Sequence, residues 1–113
     1  MSNKKLYRDA LSTIILKLLR DNGRMYGYEI VQTVKKLTKG ELTITEGALY
    51  PALHKLEAAG QLKVEFQKVS NRMRKYYALT EAGTKETTNK LSEMEVFLQT
   101  MQVLLLPNKP SKN

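Results

Sequence analysis

The chain contains no cysteine and no tryptophan, one histidine, and 3 prolines among its 113 residues. The lack of cysteine excludes disulfides and thiolate metal sites, and it suits a reducing compartment. No apolar run approaches the roughly 18 residues that a membrane span requires. The N-terminal residues lack the continuous apolar stretch and the small-residue cleavage site of a secretory signal. The sequence therefore predicts a soluble, cytoplasmic protein with no membrane partner.

Signals of catalysis and of metal binding are equally sparse. His54 lies one turn before Glu57 on a predicted helix, but two side chains make no metal or base site without a third group. Glu93 and Glu95 are two residues apart and so do not share a helix face. The sequence has neither a P-loop nor a GxGxxG motif. We predict no enzyme activity, no cofactor and no metal, and we interpret His54 as a structural or solvent-facing residue.

Basic residues outnumber acidic ones, with 19 Lys and Arg against 11 Asp and Glu, which gives a net charge of +8. Such a charge suggests a polyanionic partner, namely DNA, RNA or an acidic membrane surface, although it also serves plain solubility. Its placement is more informative than its size. No acidic residue lies between Phe66 and Thr80, a segment that carries Lys68, Arg72, Arg74 and Lys75.

Apolar spacing predicts three helices in the first half of the chain. The first covers residues 8–21 and buries Leu11, Ile14, Ile15, Leu18 and Leu19. The second covers residues 26–38 and buries Ile30, Val31, Val34 and Leu37. The third follows a short extended stretch, with Thr45 as its N-cap, Glu46 at the positive end of its dipole and Gly60 as its stop.

The period then changes to two, which predicts strands. Leu62, Val64 and Phe66 form the half-buried side of one strand, residues 70–73 form a polar turn, and residues 74–79 form a second strand. Thr80 caps a fourth helix that extends to about Leu105. The predicted fold is mainly α (α+β), a winged helix-turn-helix over residues 1–80. A long C-terminal helix over residues 81–106 and a disordered tail over residues 107–113 follow it.

The front of the third helix is the first candidate DNA-binding surface. The N-terminal residues of a recognition helix contact base edges in the major groove. Thr45, Gly47 and Ala48 are small enough to let this end approach closely, and Tyr50 can bond a phosphate or a base edge. The alternative is that Tyr50 is a half-buried core residue and Gly47 merely a poor helix former.

The hairpin tip is the second candidate surface. Asn71, Arg72 and Arg74 suit contact with the backbone or with a narrow minor groove. Lys75, Tyr76 and Tyr26 would anchor phosphates. The alternative is that charged residues are ordinary on an exposed hairpin.

The last helix carries an apolar seam with spacings of 3 and 4. We predict that the seam forms a homodimer, the usual two-fold solution for such a surface. In the alternative, the helix folds back onto its own domain. The predicted interface consists of Leu91, Met94, Phe97, Leu98, Met101 and Leu105, and Leu104 widens it.

Gly47 and Pro51 both weaken the third helix. Pro51 has no N–H for the carbonyl of Gly47, and its ring crowds that carbonyl. We predict a tightened or kinked first turn, because glycine can adapt to this geometry. The alternative is a helix that begins at Pro51, a favoured first position.

Three motifs in this order resemble the PadR family of bacterial transcriptional regulators. They are "YGYEIV" at residues 26–31, "EGALYPALHKLEAAG" at residues 46–60 and "RKYYALTEAG" at residues 74–83. The resemblance extends from about Leu11 to Leu105. The single C-terminal helix makes the chain similar to the compact subgroup of the family. It implies a homodimeric repressor that binds pseudo-palindromic double-stranded operator DNA.

The same resemblance implies relief of repression by a small-molecule effector. Some family members sandwich flat ligands between tryptophans of the last helix at the dimer centre. In this chain the equivalent position is Met94, and Phe97 nearby could offer some stacking. Met94 and Phe97 are therefore the candidate effector-binding residues. A winged-helix interaction or sensor module that does not bind DNA is the alternative function, since a fold does not determine a function.

Overall fold

The computed structural model describes residues 4–107 of the chain. Apart from Pro107, the predicted tail lies outside the described residues. In chain order, the elements are α1 (Lys4–Asn22), β1 (Arg24–Tyr26), α2 (Gly27–Leu37), α3 (Glu46–Ala58), β2 (Leu62–Val69), β3 (Arg72–Leu79) and α4 (Glu81–Leu105). Within this described part, no helix is both long and apolar enough to cross a membrane.

The three strands form one antiparallel sheet in the order β1-β3-β2. We did not predict β1, since a strand of three residues is too short for its period to be recognised. It pairs with β3 through Arg24 opposite Ala78 and Tyr26 opposite Tyr76. Because β1 directly precedes α2 and pairs with β3, it attaches the start of the helix-turn-helix to the hairpin that forms the wing.

The hairpin turn is tighter than the predicted turn over residues 70–73. Only Ser70 and Asn71 lie outside the strands, with φ of 51° and 67°. Positive φ at both central residues is typical of the two-residue type I′ turn, whose twist matches that of the flanking strands. Arg72 and Met73 therefore belong to β3, opposite Val69 and Lys68.

The hydrophobic core lies between the first three helices and the inner face of the sheet. Two residues predicted as buried or half-buried lie outside it. Leu37 is 70% exposed because it ends α2, one turn beyond the buried Val34. Phe66 is 63% exposed because its part of the hairpin extends past the helices. The buried residues are Leu11, Ile15, Leu16, Leu18, Leu19, Met25, Ile30, Val34, Ile44, Leu49, Leu53, Leu56, Leu62 and Tyr77.

A tight joint connects the sheet to α4. Thr80 donates its backbone N–H to the carbonyl of Gln61 at 3.0 Å and its hydroxyl to the carbonyl of Gly60 at 2.6 Å. The same hydroxyl accepts a hydrogen bond from the N–H of Gly83 at 3.0 Å, which confirms the predicted cap. A Cβ at Gly83 would lie 2.0 Å from the carbonyl oxygen of Gln61, so only glycine fits this approach. The joint therefore sets the direction in which α4 leaves the domain.

Candidate nucleic-acid interface

The front of α3 has the capped geometry that the sequence predicts. The Thr45 hydroxyl accepts a hydrogen bond from the N–H of Ala48 at 3.2 Å, which confirms Thr45 as the N-cap. The helix begins at Glu46, so a start at Pro51 is wrong. The Thr45 carbonyl accepts from both Ala48 and Leu49, a sharing that is common at helix ends. The kink between Gly47 and Pro51 stays a prediction.

Gly47 lies in open space at this front end. A Cβ there would meet only the Thr45 hydroxyl oxygen, at 3.9 Å, and the residue has no positive φ. Neither the backbone nor a close neighbour therefore requires glycine. Thr45, Glu46 and Gly47 are exposed, whereas Ala48 is half-buried against the core.

Tyr50 lies against the start of α2. A Cβ at Gly27 would lie 2.3 Å from the Tyr50 hydroxyl oxygen, so the glycine makes room for the ring. Tyr50 is half-buried and packs against the core, as the alternative interpretation expected. Burial first, and then Glu46 and Tyr77, raise the pKa of the Tyr50 hydroxyl, while Lys75 lowers it. The hydroxyl is therefore neutral at pH 7 and able both to donate and to accept.

The wing tip places Asn71 and Arg72 in solvent. Asn71 suits its left-handed backbone because asparagine tolerates positive φ better than most residues. Within the described residues, Arg72 has no carboxylate within ion-pair distance. The tip thus presents one unneutralised guanidinium, a suitable group for a phosphate.

Arg74 does not lie at the tip but on the outer face of the sheet, which we define as Arg24, Tyr26, Arg74 and Tyr76. The guanidinium of Arg74 lies 4.2 Å from the centroid of the Tyr26 ring, and that of Arg24 lies 4.6 Å from the Tyr76 centroid. The two rings meet edge to face at 5.5 Å. Interaction with Tyr76 raises the pKa of Arg74, and an arginine is in any case a cation at neutral pH. Stacking of this kind stabilises both the cations and the strand pairing.

Lys75 lies on the opposite, inner face of the sheet, the side on which α3 packs. Its ammonium group is 5.4 Å from the centroid of the buried Tyr77 ring. The sheet thus divides the predicted DNA-contact residues. Lys75 lies on the side of Tyr50 and the α3 front, whereas Tyr26, Arg74 and Tyr76 lie on the outer face. Arg24, which no sequence motif singled out, also belongs to the outer face and forms an ion pair with Glu65 at 3.1 Å.

The side chains of the predicted seam on α4 become more exposed toward the C-terminal end of the helix. Leu91, Met94 and Met101 are half-buried, whereas Phe97, Leu98 and Leu105 are 54%, 57% and 72% exposed. Except at Met101, the described residues of this chain therefore leave the seam beyond Met94 more than half exposed. Met94 and Phe97, the candidate effector-binding residues, lie where this change begins.

The described residues contain no group of acidic, histidine or cysteine side chains that could hold a metal ion. His54 is exposed on α3. Three helices, a basic hairpin and a third strand that joins them are the architecture of a winged helix-turn-helix domain.

Comparison with known proteins gives this architecture a family. The model of the PadR-like family of transcriptional regulators matches residues 15–89. A transcriptional regulator of Mycobacterium tuberculosis is 33% identical over 92 residues, which span 81% of this chain and 82% of that protein. The chain belongs to the PadR-like family, as its motifs predict, and it is a transcriptional regulator and not an enzyme.

Solved structures agree with this assignment. A transcriptional regulator from Clostridium thermocellum has a TM-score of 0.82 and 31% identity, over 89% of this chain and 98% of that one. A PadR family transcriptional regulator from Eggerthella lenta has a TM-score of 0.76 and 29% identity, over 92% of this chain and 88% of that one. The predicted α+β winged-helix fold is therefore confirmed.

Proposed function

We propose that the protein is a homodimeric cytoplasmic repressor that binds pseudo-palindromic double-stranded operator DNA, and that a small-molecule effector relieves repression. The observation that carries the proposal is that one chain presents two surfaces suited to DNA: the exposed, capped front of α3, and the exposed Arg72 at the wing tip, which forms no ion pair within the described residues. The first surface suits base edges in the major groove, and the second suits phosphates.

The contact residues have different roles in this proposal. Thr45, Gly47 and Ala48 bring the front of α3 to the base edges. Tyr50, on the same helix, packs against the start of α2 and offers its hydroxyl to the DNA. Asn71 and Arg72 contact the backbone or minor groove from the tip. The remaining residues, Tyr26, Arg74, Lys75 and Tyr76, anchor flanking phosphates from the two faces of the sheet.

The exposed part of the seam supports the proposed dimer. Phe97, Leu98 and Leu105 form part of an apolar row that extends away from the core, and a second copy would cover it by two-fold symmetry. Such a dimer carries two α3 fronts, so its operator would contain two half-sites separated by about one helical turn or a multiple. An effector seated near Met94 and Phe97 would act by changing the relation between these two fronts.

The decisive experiment is selection of bound sequences from a random DNA pool. We expect a pseudo-palindrome whose half-site spacing matches a two-fold dimer. If no sequence is enriched at moderate salt, the protein would instead be an interaction or sensor module that does not bind DNA.

The wing is tested by the salt dependence of binding. Arg72→Ala should flatten the slope of log affinity against log salt by about 0.9 for each phosphate that the protein no longer neutralises, hence by roughly 2 for a dimer. Lys85→Ala is the matched control, because Lys85 is exposed on α4, away from the wing. An unchanged slope in Arg72→Ala would remove the wing tip from the interface.

A further inference from the structure

One carboxylate lies among the residues proposed to face DNA. Glu46 is exposed in the first turn of α3, directly after the Thr45 cap and before Gly47. The ion pairs of the described residues do not include it; they are Lys17–Asp21, Arg20–Asp21, Arg24–Glu65 and Lys90–Glu86. Its charge is therefore not neutralised by any described cation.

A free carboxylate at this position is unfavourable against the DNA backbone, because both carry negative charge. In the major groove, however, the exposed amino groups of cytosine and adenine are hydrogen-bond donors. The adenine amino group lies beside the acceptor N7, which repels a carboxylate. The cytosine amino group is the only polar group of that base's edge, so cytosine is the base that a glutamate accepts best.

The surroundings of Glu46 suit such a contact. Gly47 leaves open space beside it, so the helix front can approach a base edge without a side chain between them. The N-terminal residues of a recognition helix are those that reach base edges. Glu46 also lies one turn before Tyr50, whose hydroxyl it influences, so both side chains are on one side of the helix.

We propose that Glu46 reads sequence by accepting a hydrogen bond from the amino group of a cytosine in each operator half-site. The same carboxylate weakens binding wherever that donor is missing, so it separates operator from other DNA by repulsion as well as by attraction. The inference rests on the proposed function, since it assumes that the α3 front enters the major groove.

A purely structural role predicts something different. A carboxylate in the first turn stabilises a helix through the dipole, whatever the DNA sequence. Glu81 provides the matched control because it occupies the same position in α4, directly after the Thr80 cap, and is exposed. Glu46→Gln and Glu81→Gln should lower stability alike, but only the first should change the choice of sequence.

The experiment compares sequences selected from a random DNA pool by the wild type, Glu46→Gln and Glu81→Gln. We expect cytosine at one position of each half-site for the wild type and for Glu81→Gln. The Glu46→Gln variant should lose about fivefold or more of that preference. It should also bind a duplex of unrelated sequence more tightly than the wild type does.

The possible failures are distinguishable. If the wild type enriches no sequence, the proposed function is wrong, and the inference about Glu46 is wrong as well. If the wild type enriches a pseudo-palindrome and Glu46→Gln enriches the same one with undiminished cytosine preference, only the role of Glu46 is overturned. A change of equal size in Glu81→Gln would overturn it as well, since that residue lies outside the proposed interface.

Discussion

The winged-helix unit and the C-terminal half of α4 have the same spacing of apolar residues, but these residues are buried in the first region and largely exposed in the second. In α1, residues with spacings of 3 and 4 are buried within the chain, and Ile15 and Leu16 have no exposed surface. On α4 the corresponding spacing ends in side chains that remain more than half exposed, namely Phe97, Leu98, Leu104 and Leu105. Periodicity thus identifies an apolar face but not the chain that covers it.

The largest expected effect tests the uncovered half directly. In the proposed dimer, Leu98→Glu would place a charge at the centre of the seam in both copies, and an unpaired buried charge costs about 3 kcal/mol or more. The dimer should therefore dissociate at concentrations about 100-fold higher than for the wild type. Sedimentation equilibrium over a concentration series measures this change.

The control for this substitution is Gln99→Glu, which adds the same charge at the next residue of α4, outside the seam. Its association should match that of the wild type. If Leu98→Glu keeps the wild-type mass at every concentration, the seam is not the interface, and α4 must be covered in another way.

The next largest effect is expected at the joint between the sheet and α4, where Gly83 packs against Gln61. Gly83→Ala would drive a Cβ to 2.0 Å from the Gln61 carbonyl oxygen, a backbone atom that cannot rotate aside. Overpacking of this kind costs about 3 kcal/mol when backbones must shift. Urea unfolding should show a lower midpoint, and the direction of α4 should change. Wild-type stability in this variant would mean that the approach of α4 to Gln61 is loose.

Local features of the fold were predictable from the sequence, because their causes are local. Thr45 and Thr80 cap helices by bonding backbone N–H groups three residues ahead, so each cap is recognisable within four letters. The collision that demands glycine at position 83 involves Gln61, far away along the chain, and no local pattern reveals it. The burial of Leu37 was wrongly predicted for a related reason, since spacing does not show where the core ends.

In the candidate site, too, local features were predictable from the sequence and long-range ones were not. The front of α3 was recognisable because a cap, an acidic first turn and small residues occur together. The placement of Arg74 was not, because β1 supplies the Tyr26 ring on which it stacks, and a strand of three residues leaves no period to detect. The hairpin turn was also predicted too wide, which placed Arg74 at the tip rather than on the outer face.

A smaller effect concerns the contact that supports α3 from α2. Gly27→Ala would bring a Cβ to 2.3 Å from the Tyr50 hydroxyl, and the ring must move. We expect a loss of about 1–2 kcal/mol, since a side chain yields more easily than a backbone. In a Tyr50→Ala background the same change should cost little, and a double-mutant cycle of urea unfolding measures the difference. Equal costs in both backgrounds would mean that Tyr50 does not limit this position.

The smallest effect has the opposite sign, and it separates a glycine that the fold needs from one that it does not. Gly47→Ala adds a methyl group in open space, so the protein should gain about 0.5–1 kcal/mol in its free energy of unfolding. If the α3 front approaches base edges, the same methyl should weaken binding to the selected operator while leaving the salt slope unchanged, because no charge is altered. Greater stability with undiminished operator affinity would show that Gly47 does not face DNA closely. Lower stability would show instead that the turn before Pro51 depends on glycine, as the predicted kink requires.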